Sequence, residues 1–127
     1  MADHFQTVAL QQDWGLLSVE INFIGVDLGE YELVLWTSDS DTQLFDYKGT
    51  NKNPAKYDMP FPNDLNKGRR LRCRIFVTTL LNDPGISHSA SMKLFKAGST
   101  DPLCEVKDEY SFQDNDHIQG NLVIDFV

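Results

Sequence analysis

Apolar and polar residues alternate one by one in several segments of this chain, and that pattern restricts the fold more than any other feature. The alternation is strict over residues 17–23 and recurs over 31–35 and 71–77. Successive side chains of a β-strand point to opposite faces, so a period of two is typical of a strand with one buried face. These three segments predict three core strands.

Five weaker segments complete a prediction of about eight strands. They cover residues 4–10, 42–47, 87–96, 103–108 and 118–126. Residues that favour turns, mainly Gly, Pro, Asp and Asn, separate the segments, and no long window has helical spacing. The sequence therefore predicts an all-β fold, an antiparallel two-sheet β-sandwich of Greek-key, jelly-roll or immunoglobulin-like type.

Length and composition indicate one globular unit. A chain of 127 residues has the common size of one domain, so we expect residues 1–127 to form a single β-sandwich. No basic stretch followed by an apolar run opens the sequence, and no segment reaches the about 20 apolar residues of a membrane-spanning helix. We expect a cytoplasmic protein, or a secreted one without a visible signal peptide, and no insertion into a membrane.

The protein is strongly acidic overall, but its arginines are concentrated in one short segment. The formal net charge is −8 at pH 7, which repels the phosphate backbone of nucleic acids and argues against a nucleic-acid partner. All four arginines nevertheless lie within residues 69–74. This cluster is the main basic feature of the sequence.

Three of these arginines, Arg70, Arg72 and Arg74, share one face of the predicted strand because they occupy alternate positions. Such a ladder could bind a phosphate, sulfate or carboxylate. The alternative is pairing with carboxylates of neighbouring strands, which the excess of acidic residues favours. The candidate partners are Glu20, Glu30, Glu32 and Asp46.

Two pairs of aspartates occupy predicted loops. Asp39 with Asp41, and Asp114 with Asp116, have the i, i+2 spacing from which carboxylates of two loops can converge on calcium. The alternative is that these side chains satisfy backbone donors in turns, which is the commoner role of Asp in loops. A calcium site is therefore the minor hypothesis, and we expect no other cofactor.

The second aspartate pair lies in the stretch Phe-Gln-Asp-Asn-Asp-His-Ile-Gln-Gly over residues 112–120. This stretch resembles the last calcium loop of C2 domains, and also the terminal Asp-Asn-Asp of small calcium-dependent bacterial lectins. The resemblance implies calcium ligation by Asp114 and Asp116. It is confined to this stretch and assigns no family.

Aromatic residues provide further candidate contacts. Trp36 has the parity of the polar face of its strand, where an indole can stack against a sugar or a partner side chain; the alternative is a buried packing role. Tyr57 and Phe61 lie in the long irregular segment 48–68, which either exposes an apolar knob or folds back over one end of the sandwich.

Sequence features of catalysis are few. The histidines His4, His88 and His117 are isolated, and no nucleophile or metalloprotease motif occurs. Cys73 and Cys104 both have inward parity, so we expect two buried, reduced thiols. We therefore do not expect an enzyme.

These observations favour a non-enzymatic binding module that presents loops to a protein partner. A lectin-like carbohydrate-binding protein, assisted by calcium, is the alternative. A structural or oligomer-forming subunit, in which exposed edge strands pair between copies, is the second alternative.

Overall fold

The computed structural model of the protein describes residues 3–26, 28–39, 41–52, 56–78, 88–110 and 117–127. Nine strands account for most of this part of the chain. They are β1 (Asp3–Val8), β2 (Ser18–Ile24), β3 (Leu28–Trp36), β4 (Gln43–Thr50), β5 (Lys56–Asp58), β6 (Arg70–Thr78), β7 (His88–Phe95), β8 (Cys104–Tyr110) and β9 (His117–Phe126). The described helical segments are two 3-10 turns, Gln12–Trp14 and Asn63–Asn66, and none is long and apolar enough to cross a membrane.

The strands form two sheets. One has the order β1-β9-β6-β3-β4 and the other the order β5-β2-β7-β8. Neighbouring strands are antiparallel except β1, which runs parallel to β9. The predicted all-β, two-sheet sandwich is confirmed, with one parallel pair at the edge of an otherwise antiparallel structure.

The core lies between the inner faces of the two sheets, because alternation turns every second side chain inward. The fully buried residues include most of those that define the period of two in the sequence, whereas Phe23 is only partly buried. Among the fully buried residues are Leu17, Val19, Ile21, Leu33, Leu35, Leu71, Ile75, Leu122 and Ile124. The three core strands predicted from the pattern correspond to β2, β3 and β6.

The segment 48–68 is more regular than its sequence predicts. It contains the end of β4, the short strand β5 and the 3-10 turn Asn63–Asn66. β5 pairs with Ser18–Glu20 of β2 and extends the smaller sheet. A strand of three residues is too short for a period of two to be visible, so the sequence predicts about eight strands rather than nine.

The two cysteines differ in burial. Cys73 on β6 is completely buried, and Cys104, the first residue of the edge strand β8, is only partly buried. Burial raises the pKa of both thiols. Both are free, but the expectation that both are buried is wrong for Cys104, because the end of an edge strand is covered on fewer sides than a central strand.

Different contacts link the edges of the two sheets on the two sides of the sandwich. On one side Nε2 of His4 on β1 lies 2.9 Å from Oδ1 of the buried Asp108 on β8. On the other side Tyr47 of β4 stacks on Tyr57 of β5 with a centroid distance of 4.4 Å and an interplanar angle of 8°. The outer face of the five-stranded sheet remains uncovered by the smaller sheet.

Candidate functional site

The arginines of β6 lie at the centre of the outer face of the five-stranded sheet. β6 is flanked by β3 on one side and β9 on the other, and both pairings are in regular antiparallel register. Arg70 lies between Trp36 of β3 and Asp125 of β9. Arg72 lies between Val34 and Val123, and Arg74 lies between Glu32 and Asn121.

A depression of about 330 Å³ opens on this face. It is lined by Asp3 and Phe5 of β1, Trp36 of β3, Arg70 and Arg72 of β6, and Asn121 and Val123 of β9. We call it the arginine depression. Four strands contribute to it, so its shape depends on the sheet and not on a loop.

The floor of the arginine depression is apolar, although it belongs to an outward-facing surface. Val123 is 3% exposed, and the neighbouring outward residue Val34 is fully buried. The long side chains beside them cover these valines, as long charged side chains often cover apolar surface. Phe5, in contrast, is 56% exposed. The site combines a buried apolar floor with an accessible aromatic wall.

Arg70 is held by a carboxylate. Its Nε donates to Oδ1 of Asp125 at 2.7 Å, and its Nη2 donates to Oδ2 at 3.0 Å. This bidentate hydrogen bonding raises the pKa of Arg70. The guanidinium also lies 5.7 Å from the ring centroid of Phe5. Arg70 therefore forms a fixed wall of the depression.

Arg72 is held much more loosely. The carboxylate of Glu32 is 3.9 Å from its Nη2, which is beyond hydrogen-bond distance. Its Nε is buried and has no hydrogen-bond partner among the described residues. The guanidinium carbon lies 5.8 Å from the ring centroid of Trp36, and 28% of the Arg72 side chain is exposed. Arg72 is therefore a partly exposed cation for which no hydrogen bond is found among the described residues.

Asn121 of β9 also lines the depression. Its Nδ2 donates to Oδ1 of Asp3 at 3.0 Å, which fixes the amide orientation. Its Oδ1 is buried and lacks a donor among the described residues. Two unsatisfied polar atoms, one donor on Arg72 and one acceptor on Asn121, therefore belong to side chains that line the same depression.

Arg74 points to the same side of the sheet but does not line the depression. It is exposed, and no carboxylate of the described residues lies within 4.0 Å of it. Of the partners that the sequence suggested, only Glu32 approaches an arginine, and Asp125 was not among them. The sequence placed the three arginines on one face but could not identify their partners.

The aromatic candidates from the long segment lie elsewhere. Tyr57 on β5 shares a 2.7 Å hydrogen bond between hydroxyl groups with Tyr31, and burial, together with this bond, raises the pKa of Tyr31. Met59 is 3% exposed and Phe61 is 60% exposed. The segment therefore both folds back, through Met59, and exposes an aromatic side chain, through Phe61.

The described aspartates of the calcium hypothesis form a turn. The Asp39 carboxylate accepts hydrogen bonds from the Thr37 hydroxyl and, at 3.1 Å, from the Asp41 backbone N–H. These bonds lower the pKa of Asp39. Asp114 and Asp116 lie outside the described residues. Within the described ranges, no group of three or more His, Cys, Asp or Glu side chains is arranged to hold a metal ion.

Comparisons with protein-family models, with curated proteins and with solved structures found no match. The geometry of the arginine depression is therefore the basis of the functional argument.

Proposed function

We propose that this protein is a non-enzymatic binding module, and that the arginine depression binds a carboxylate-bearing segment of a partner protein. The observation that carries this proposal is the state of Arg72. This cation lies in a preformed depression, its closest carboxylate is 3.9 Å away, and its Nε has no partner among the described residues. A buried donor without an acceptor is unfavourable, so a ligand that brings an acceptor to the Arg72 guanidinium is favoured over one that does not.

A carboxylate suits Arg72 better than a neutral acceptor does. A guanidinium presents its N–H donors in a planar fork that matches the two oxygens of a carboxylate. The neighbouring Arg70, on the same strand as Arg72, adopts this geometry with Asp125 of β9. A ligand carboxylate at Arg72 would repeat that arrangement two residues further along β6.

The walls of the depression favour a protein segment. Trp36 and Phe5 line the depression together with the arginines, and Val123 provides a buried apolar surface. Trp and Arg are enriched at the centres of protein interfaces, where apolar anchors and charged groups are desolvated together. A volume of about 330 Å³ accommodates a few side chains, not a large cofactor.

A library of acidic and neutral peptides tests the proposal. We expect the bound peptides to contain Asp or Glu, and replacement of that residue by Asn or Gln to weaken binding about tenfold or more. Arg72→Gln should weaken binding similarly, and Arg72→Lys only partly, because lysine retains the charge without the fork. Arg74→Gln is the matched control. Peptide binding that is indifferent to Arg72→Gln would contradict the proposal.

A carbohydrate is the second candidate ligand, favoured by the partly exposed indole of Trp36 beside Arg72. Flat aromatic faces can stack against sugar rings. A glycan array probed with the wild-type protein and with Trp36→Ala, in calcium and in chelator, separates this candidate from a peptide. If the wild-type protein binds glycans and Trp36→Ala does not, then the ligand is a carbohydrate and not a peptide.

A further inference from the structure

Among the described strands, β4 forms one edge of the larger sheet. It spans Gln43–Thr50, and within the described residues it is bonded to β3 on one side only. Five of its eight residues are exposed. An edge strand of this length presents unpaired backbone N–H and C=O groups that can pair with another strand. What it can pair with depends on its side chains.

The charges of β4 are arranged symmetrically about its centre. Asp46 and Lys48 both face outward and flank Tyr47, which faces inward. Lys48 lies 3.8 Å from Glu32, and Asp46 has no cationic partner within 4.0 Å among the described residues. The carboxylate of Asp46 is therefore available to a partner.

We infer that β4 pairs antiparallel with β4 of a second copy of this chain, about a two-fold axis that passes beside Tyr47. In that register Asp46 lies opposite Lys48 of the second copy, and Lys48 lies opposite Asp46 of the second copy. The two five-stranded sheets then form one continuous sheet. The interface is isologous, as expected of a two-fold dimer.

Neighbouring registers are disfavoured by the same charges. A two-fold axis at Asp46 would place the Asp46 carboxylates of the two copies directly opposite each other. An axis at Lys48 would place the two Lys48 ammonium groups directly opposite each other. Like charges in directly opposite positions destabilise an antiparallel pair, whereas opposite charges stabilise it. Only the axis at Tyr47 satisfies both charged residues at once.

The inner face of β4 supports the same register. Tyr47 is 39% exposed and lies in a stack between Phe45, at 4.8 Å, and Tyr57, at 4.4 Å. Directly opposite residues of an antiparallel pair have Cβ atoms about 4.5–5.5 Å apart. The Tyr47 rings of the two copies would therefore meet at the axis, which would bury aromatic surface that is exposed in the single chain.

The edge strand β8 of the smaller sheet also alternates its charges, but those charges are satisfied within the chain. Lys107 lies 3.3 Å from Glu109, and Glu105 lies 3.6 Å from Lys93. The residues between them, Val106 and Asp108, are buried. Over Glu105–Glu109, where its side chains are described, β8 therefore offers no unpaired charge to a second copy, which distinguishes it from β4.

Sedimentation equilibrium of the wild-type protein and of charge variants tests the inference. We expect a dimer, and we expect Asp46→Lys and Lys48→Asp each to raise the dimer dissociation constant at least about tenfold, because each places like charges opposite each other. The double variant with both substitutions retains the net charge of the wild type and restores the complementary pairs. It should dimerise within about threefold of the wild type.

Glu109→Lys on β8 is the control, since it changes the charge as Asp46→Lys does but at another edge. It should leave the dimer intact. Circular dichroism of each variant establishes that it is folded. A monomeric wild type, a double variant that remains as weak as the single variants, or dissociation by Glu109→Lys would overturn the inference. None of these results depends on the arginine depression.

Discussion

Arg70 and Asp125 form a bidentate ion pair between β6 and β9, with 2.7 Å from Nε to Oδ1 and 3.0 Å from Nη2 to Oδ2. Two residues further along β6, Arg72 faces Val34 and Val123, which provide no carboxylate. The same strand therefore presents one arginine that is satisfied within the fold and one that is not. This difference is the reason for placing ligand recognition at Arg72.

The Arg70 pair should contribute little to stability. The side chains of Arg70 and Asp125 are 48% and 33% exposed, and exposed ion pairs typically contribute about 0–1 kcal/mol. We expect Asp125→Asn to lower the free energy of unfolding in urea by no more than about 1 kcal/mol. Asp58→Asn, on the exposed strand β5, is the control. A loss several times larger would mean that the pair organises the sheet.

The two thiols should react at different rates. Cys73 is fully buried and Cys104 only partly so, and burial raises the pKa of both. With a thiol-specific reagent at pH 8 we expect slow labelling of Cys104 in the native protein and labelling of Cys73 only after unfolding. Mass spectrometry identifies the labelled site. Rapid native labelling of Cys73 would show that the parity of β6 is wrong.

Gly49 should tolerate no side chain. A Cβ at this position would overlap the ring and hydroxyl of Tyr31 on the neighbouring strand, and the Tyr31 hydroxyl is bonded to Tyr57. We expect Gly49→Ala to lower the free energy of unfolding by about 1–3 kcal/mol, the usual cost of overpacking. Gln43→Ala on the same strand should change it by less than about 0.5 kcal/mol. Equal effects of the two substitutions would contradict this account of the Tyr31 packing.

The ionised carboxylate of Asp39 should contribute to the melting temperature, and this contribution should be lost at acidic pH. Its pKa is lowered mainly by the hydrogen bond from Thr37 and then by that from the Asp41 backbone. A carboxylate with a lowered folded pKa stabilises the protein above its unfolded pKa, and this contribution is lost as the pH falls through the folded pKa. The melting-temperature difference between wild type and Asp39→Asn should therefore shrink below about pH 4.

Asp41→Asn is the control for Asp39, because the Asp41 carboxylate accepts neither of these hydrogen bonds. The melting temperature of Asp41→Asn should show the same pH dependence as that of the wild type. If Asp39→Asn also follows the wild type at every pH, then the turn does not depend on the ionised carboxylate.

The strands could be predicted from the sequence because alternation is a local property. β2, β3 and β6 show it clearly, and the parity of β6 placed Arg70, Arg72 and Arg74 on one face. Strand neighbours are not local. Nothing in the pattern indicates that β9 lies between β1 and β6, although that order determines most of the candidate site.

The missed residues of the site illustrate this limit. Phe5 and Asn121 are separated from Arg72 by long stretches of chain. They line the same depression because β9 pairs with β6 and β1 pairs with β9. Alternation along β9 does place Asn121 and Asp125 on one face, and this is the one sequence feature that could have identified them as residues of the site. Without the strand order, that face could not be matched to the arginines.

The central claim, that Arg72 binds a carboxylate, is tested most directly by nuclear magnetic resonance of the Arg72 Nε–H and Trp36 indole N–H. N-acetylglutamate and its neutral counterpart N-acetylglutamine serve as probes. We predict that N-acetylglutamate shifts both signals saturably, that N-acetylglutamine does not, and that Arg72→Gln abolishes the indole response while Arg74→Gln retains it. Equal responses to the two probes, or no response of the Arg72 Nε–H signal, would contradict the claim.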